Sequence, residues 1–240
     1  MELIALAALA TMAAGAIRTS VGVGAGIALT ASLLQIFDLQ TTLAVMALLQ
    51  IAFGISAISH YWRKWDSTLT ARLLIAAIAG VAVGTMLIWV LPVGYVKKIL
   101  GTLIVACGLI ELLKLWRGST EVSVWARNVW FIGFGSGVSG GLVNASGAVL
   151  ALYLKGLRLT HGVYLGTLSA VVLGHDLFRL VLYAALDLLP PAAFKTAAIL
   201  TPFAIVGGWL GTWLQSRISE RYLSFIVLSL VILLGIILFL

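Results

Sequence analysis

The run Leu223–Leu240 is apolar on every face. Blocks of this kind, about 18–25 residues long, recur along the sequence. That is the length a helix needs to cross ~30 Å of hydrocarbon. A membrane β-barrel would instead alternate apolar and polar residues over about 10-residue segments. Composition closes off the soluble alternative. With 62% hydrophobic and 10% charged residues, the chain is far below the roughly 25% charge of a soluble domain. The net charge of +7 is spread through short inter-helix loops, as cytoplasmic loops require. It therefore does not point to nucleic acid. Cys107 lies inside an apolar run and reads as packing, with no intrachain disulfide or metal cluster to join. The stretch Met1–Ala16 has Glu2 where a signal peptide would be positive, so it is expected to stay in the mature protein.

The chain reads as a duplication, residues 1–120 and 121–240. Tyr95 to Ile110 lies on Tyr222 to Ile237, so that Tyr95/Tyr222, Leu103/Leu230, Gly108/Gly235 and Ile110/Ile237 coincide. In the same register Gly80 meets Gly207, and Gly84-Thr85 meets Gly211-Thr212. Further upstream the register shifts, and Asp66 meets Asp187. Leu34, Phe37 and Leu39 fall near Leu154, Leu157 and Leu159. Each half opens with a Gly-interrupted hydrophobic stretch, 2–36 and 128–157. Three plain helices follow in each, at 41–60, 70–90 and 95–114, then at 163–185, 193–214 and 221–240.

Loop charge sets the orientation. With Arg63, Lys64 and Arg72 on the cytoplasmic side, alternation adds Lys114, Arg117, Arg127, Lys155, Arg158, Arg217 and Arg221. Only Lys97, Lys98 and Lys195 fall outside. The N-terminus is then outside, and the second half starts inside. The expected fold is thus an all-α integral membrane protein of two inverted repeats, each a Gly-interrupted hydrophobic hairpin plus three transmembrane helices. This arrangement typifies secondary transporters.

The interruptions carry the chemistry. The first contains Gly15, Arg18, Thr19, Ser20, Gly22, Gly24 and Gly26. The second contains Gly133, Gly135, Ser136, Gly137, Ser139, Gly140, Gly141, Asn144, Ser146 and Gly147. Non-helical backbone at membrane depth is tolerated where protein buries it or water reaches it. Half-helix N-termini meeting at a break attract anions. The competing reading is close helix packing, which Gly22/Gly26 and Gly133/Gly137/Gly141 also fit through their four-residue spacing.

These two stretches resemble the openings of the sulfite exporter TauE/SafE family of membrane proteins. Family members have two halves, each starting with a GxGGG-type motif. The counterparts here are Gly22-Val-Gly24-Ala-Gly26 followed by Leu33-Leu34-Gln-Ile-Phe37-Asp-Leu39, and Gly137-Val-Ser139-Gly140-Gly141 followed by Tyr153-Leu154-Lys-Gly-Leu157-Arg-Leu159. Ala25 replaces a glycine usual in the family, and the prolines often found after the motif are absent. The resemblance spans essentially the whole chain. It implies a cell-membrane carrier for a small anion, sulfite or an organosulfonate; alternating access at a mid-membrane site between the two repeats is expected, and no cofactor is expected.

Ionisable residues inside membrane segments default to function. Arg18 sits in the first interruption, and His175, Asp176 and Arg179 sit within one hydrophobic helix. Asp176 and Arg179 share a face at i,i+3. A guanidinium forks onto an oxyanion, and histidine exchanges protons near neutral pH. The expected substrate-binding set is Arg18, Thr19, Ser20, Gly22, Gly24, Ser139, Asn144, Ser146, His175 and Arg179, with His175 and Asp176 as proton-coupling candidates. The plainer alternatives are an intrahelical ion pair at Asp176–Arg179 and an Arg18 that snorkels to an interface. His60 and Trp62, beside Arg63 and Trp65, read as an interfacial belt. Gln50 is a mid-helix hydrogen-bonding group. There is no GxxxxGK nucleotide loop, no HExxH and no GxSxG, so the chain is not expected to be an enzyme. Besides a carrier, a channel lined by the same interruptions and a membrane scaffold remain as alternatives. On this reading, Arg179→Ala abolishes transport in a protein that still folds.

Overall fold

A computed structural model describes residues 2–20, 25–92, 94–96, 98–99, 101–102, 105–106, 109, 112–113, 128–157, 159–215, 225, 229, 232–233 and 236. The elements are α1 (Glu2–Ser20), α2 (Ala25–Leu33), α3 (Leu39–His60), α4 (Ser67–Val90), α5 (Val129–Val143), α6 (Ser146–Gly156), α7 (His161–Ala185) and α8 (Pro191–Gln215). The described residues between 94 and 113 are helical, and the described residues include no strand. Four stretches are long and apolar enough to cross a membrane: Leu39–Ser59, Ser67–Val90, Gly162–Ala185 and Pro191–Gly211. Their outward side chains include Ile75, Met86, Trp89, Ile205 and Trp209. A surface so apolar suits lipid, not water. Cys107 and most of 221–240 lie outside the described residues.

The helices expected at 41–60 and 70–90 begin two or three residues earlier than their apolar runs. Asp38 and Asp66 explain the difference. The Thr41 N–H donates to Asp38 Oδ2 at 2.9 Å, and the Leu69 N–H donates to Asp66 Oδ1 at 2.8 Å. Each carboxylate satisfies a first-turn donor that the helix leaves unpaired, so the polar first turn becomes helical. The Thr41 N–H bond holds the Asp38 carboxyl below the usual carboxylate range. Because that pKa is lowered in the folded chain, the contribution is present above the unfolded value of about 3.9 and is lost as pH falls through the folded one. Asp38→Ala is expected to cost about 1 kcal/mol at neutral pH, and the gap to wild type should close in acid. Thermal unfolding at two pH values checks both.

The chain divides into two compact units, and each draws on both halves of the sequence. The first comprises residues 1–49, 91–119 and 189–240. In it α1 packs along α8 with almost no space between backbones. A Cβ at Gly15 would lie 3.1 Å from the Gly208 nitrogen, and one at Gly207 would strike the Met12 carbonyl. Beside them α2 buries Ile27, Leu29 and Leu33. The second unit comprises 50–90 and 120–188. In it α4 packs on α5 in the same manner, since a Cβ at Gly137 would strike the Ala77 carbonyl and one at Gly80 the Phe134 carbonyl. Its core is Leu73, Ala77, Leu150, Tyr153, Leu154, Val171 and Val172. The α3–α4 loop is pinned to α7, where the Asp66 N–H donates to Thr167 Oγ1 at 3.1 Å. Trp62 and Trp65 meet edge to face, 5.8 Å between ring centroids, as an interfacial pair would.

Three of the six glycines of the second interruption therefore serve packing against α4. Gly133, Gly137 and Gly141 all lie inside α5, against α4. The break itself falls later, at Asn144–Ala145, between α5 and α6.

Candidate functional site: a buried charge cluster at the α5–α6 break

Asn144 ends α5 in the left-handed conformation, φ 56° and ψ 33°. Asparagine is among the few residues besides glycine that enter this region readily. Its N–H donates to the Gly140 carbonyl at 3.3 Å, and the Ala145 N–H donates to the Ser139 carbonyl at 3.2 Å. The chain then re-enters a helix at Ser146. Two helix ends are thereby brought together: the negative C-terminal end of α5 and the positive N-terminal end of α6.

The side chains that face this turn come from α7. His175, Asp176 and Arg179 are 0%, 2% and 1% exposed. Spacing of three and four residues sets them on one helix face. Arg179 Nη1 donates to the Gly140 carbonyl at 2.8 Å and also to Asn144 Oδ1. A guanidinium at the C-terminal end of α5 complements that helix dipole. Arg179 Nη2 lies 3.0 Å from Asp176 Oδ1, an ion pair whose angle falls short of a hydrogen bond. His175 Nδ1 lies 3.4 Å from the same oxygen. Tyr183, one turn further on and fully buried, presents its ring to the guanidinium at 5.9 Å, within cation–π range.

Several polar atoms in this cluster have no hydrogen-bond partner: His175 Nδ1 and Nε2, Arg179 Nε and Nη2, and the Tyr183 hydroxyl. Buried polar atoms are nearly always satisfied, and leaving one unmet costs about 1–3 kcal/mol. Arg179 Nε and Nη2 are N–H donors that a small oxyanion could accept from. Gly140 permits a close approach at this turn: a Cβ there would come within 2.9 Å of Ser146 Cβ and 3.2 Å of His175 Cε1. His175 therefore borders the N-terminal end of α6.

Of the residues expected from the sequence, Asn144, Ser146, His175, Asp176 and Arg179 come together here. Ser139 is near in sequence, but its hydroxyl donates to the Ser136 carbonyl of its own helix. Arg18 lies half-buried in the last turn of α1, in the other compact unit. Gly22 and Gly24 lie outside the described residues, as do the side chains of Thr19, Ser20 and His60. Gln50 is buried in α3. Two participants were missed. Tyr183 could have been found from the i,i+4,i+8 stripe His175–Arg179–Tyr183. The Gly140 carbonyl carries no side-chain signal at all. Among the described residues no three His, Cys, Asp or Glu side chains group as metal ligands would.

A family model described as "Sulfite exporter TauE/SafE" matches residues 7–238. Comparison with curated proteins and with solved structures found no match. Matched over nearly its whole length, the chain belongs to the sulfite exporter TauE/SafE family, a family of membrane transporters and not of enzymes.

Proposed function

We propose that the chain is a secondary carrier for a small sulfur oxyanion, sulfite or an organosulfonate, which loads at the α5–α6 break beside His175 and Arg179. The observation that carries this reading is the set of unmet, fully buried donors on His175 and Arg179 at the mouth of two helix ends. Asn144 and Ser146 shape the turn, and the α6 N-terminus adds a positive end for the anion. The cluster is sealed from solvent, which suits an occluded carrier state better than an open pore. Arg18, Thr19, Ser20, Gly22 and Gly24 are the matching candidates from the first half, and Ser139 is a lesser one.

A duplicated, inverted architecture fits the packing pattern. The alignment that lays Gly80 on Gly207 also pairs α4 with α8, and the two interrupted stretches pair α1 with α5. Gly80 packs on α5 and Gly207 packs on α1, so corresponding helices make corresponding close contacts. Alternate exposure of the break to the two membrane faces is the transport step this reading requires. The loop charges favour an N-terminus outside and the cell membrane as location.

The test is uptake of radiolabelled sulfite into proteoliposomes, with methanesulfonate as competitor and sulfate as control. Saturable uptake with countertransport is expected of a carrier. Linear, non-exchanging flux would favour a channel. If folded protein takes up neither sulfite nor any sulfonate, the substrate assignment is wrong.

A further inference from the structure

We infer that the α7 cluster is charge-balanced so that one monoanion enters together with one proton on His175, and that dianions are excluded. This rests on the proposed anion site and assigns its charge selection. Arg179 carries one positive charge and Asp176, 3.0 Å away, one negative. With His175 neutral the cluster has no net charge to offer an anion. Protonated His175 makes it +1, which balances one monoanion and leaves a dianion with an unpaired charge. An unpaired charge taken out of water is heavily penalised. The carboxylate is already committed to the guanidinium, so the imidazole is the group free to change state. Both of its ring nitrogens lie buried without a hydrogen-bond partner. One can take up the proton while the other faces the anion.

Among the described residues the surroundings contain little else that titrates. On α7 the facing groups are Asp176, Arg179 and Tyr183. The end of α5 presents the Gly140 carbonyl and the Asn144 amide, and α6 presents Ser146. Tyr153 of α6 is packed into the core around Leu73 and Leu154, and the side chain of Lys155 lies outside the described residues. Arg72 of α4 is exposed, and α3 has His60 as its one titratable residue, its side chain outside the described residues. The duplicated helix does not repeat the cluster. The register that lays Asp66 on Asp187 puts Gly54, Ile55 and Ile58 of α3 opposite His175, Asp176 and Arg179. The described residues hold one site of this kind, which corresponds to one proton per anion.

Methanesulfonate and sulfate test this. The first is a monoanion and the second a dianion throughout the useful pH range, so neither changes charge as sulfite does. Proteoliposomes are loaded with buffer near pH 7.5, and uptake of labelled methanesulfonate is compared at external pH of about 5.5 and 7.5. About tenfold faster uptake at the acid side is expected, with one proton entering per anion by a trapped pH dye, and with no competition from sulfate. In His175→Gln the acid stimulation should vanish while thermal unfolding shows the protein folded. Methanesulfonate or sulfite uptake that ignores pH, or sulfate competing as well as methanesulfonate, overturns the inference and leaves the carrier standing. Retained acid stimulation in His175→Gln overturns the assignment to His175. Failure of folded wild-type protein to take up sulfite or any sulfonate refutes the anion site and this inference with it.

Discussion

Arg179→Ala is expected to abolish anion uptake and also to weaken the fold, by about 3–5 kcal/mol, the usual cost of removing one partner from a buried ion pair. The sequence led to a narrower expectation, loss of transport with the fold intact. The geometry adds the second cost. Arg179 serves the Gly140 carbonyl, Asn144 and Asp176 at once, and its loss strips a buried carboxylate of the cation beside it. The two effects separate in the double variant Asp176→Asn/Arg179→Gln. It removes both charges and keeps hydrogen-bonding groups of similar size, so most of the lost stability should return. Pairs in one network are not additive, and this cycle measures their coupling. Transport should not return, because in the proposed site the guanidinium is the group that meets the anion. Thermal unfolding of purified protein in detergent and sulfite uptake in proteoliposomes give the two readouts. Normal uptake by the folded double variant would remove Arg179 from the site and leave the ion pair a purely structural device.

The second large effect lies in the α4–α5 contact. Gly137→Ala is expected to prevent stable folding or cost several kcal/mol, because its methyl group lands on the Ala77 carbonyl. Backbone cannot swing aside as a flexible side chain can, and overpacking of a close contact typically costs about 1–3 kcal/mol even where relief exists. Gly135→Ala, two residues away on the same helix, meets nothing within 4 Å. Alanine favours a helix over glycine by about 1 kcal/mol, so this change should be neutral or mildly stabilising. Thermal unfolding of the two variants side by side distinguishes them. Equal effects would mean that the glycines act through helix propensity and not through contact.

The membrane class, the helical content and the spans at α3, α4, α7 and α8 were legible because each is a local property. A block of apolar residues long enough to cross hydrocarbon has few alternatives once lipid is the solvent. The polar first turns of α3 and α4 were missed by two or three residues because a cap is a hydrogen bond from Asp38 or Asp66, not a matter of hydropathy. His175, Asp176 and Arg179 stood out for the same local reason, since charge within an apolar helix is conspicuous by cost alone.

What residue order could not convey was the use of the glycines. Spacing at four residues serves equally for a broken helix and for a close helix pair. The difference depends on a neighbour far away in sequence, here Ala77 and Gly80 on α4. The break went to Asn144, where one left-handed residue ends α5 and frees α6 to begin. The partners of Arg179 were hidden likewise, for a carbonyl at Gly140 looks like every other carbonyl until folding sets it 2.8 Å from a guanidinium. Solvent preference is written residue by residue and can be read that way. Contact between distant segments is decided when whole helices choose their neighbours, and in this chain that choice assembles the charge cluster at the α5–α6 break.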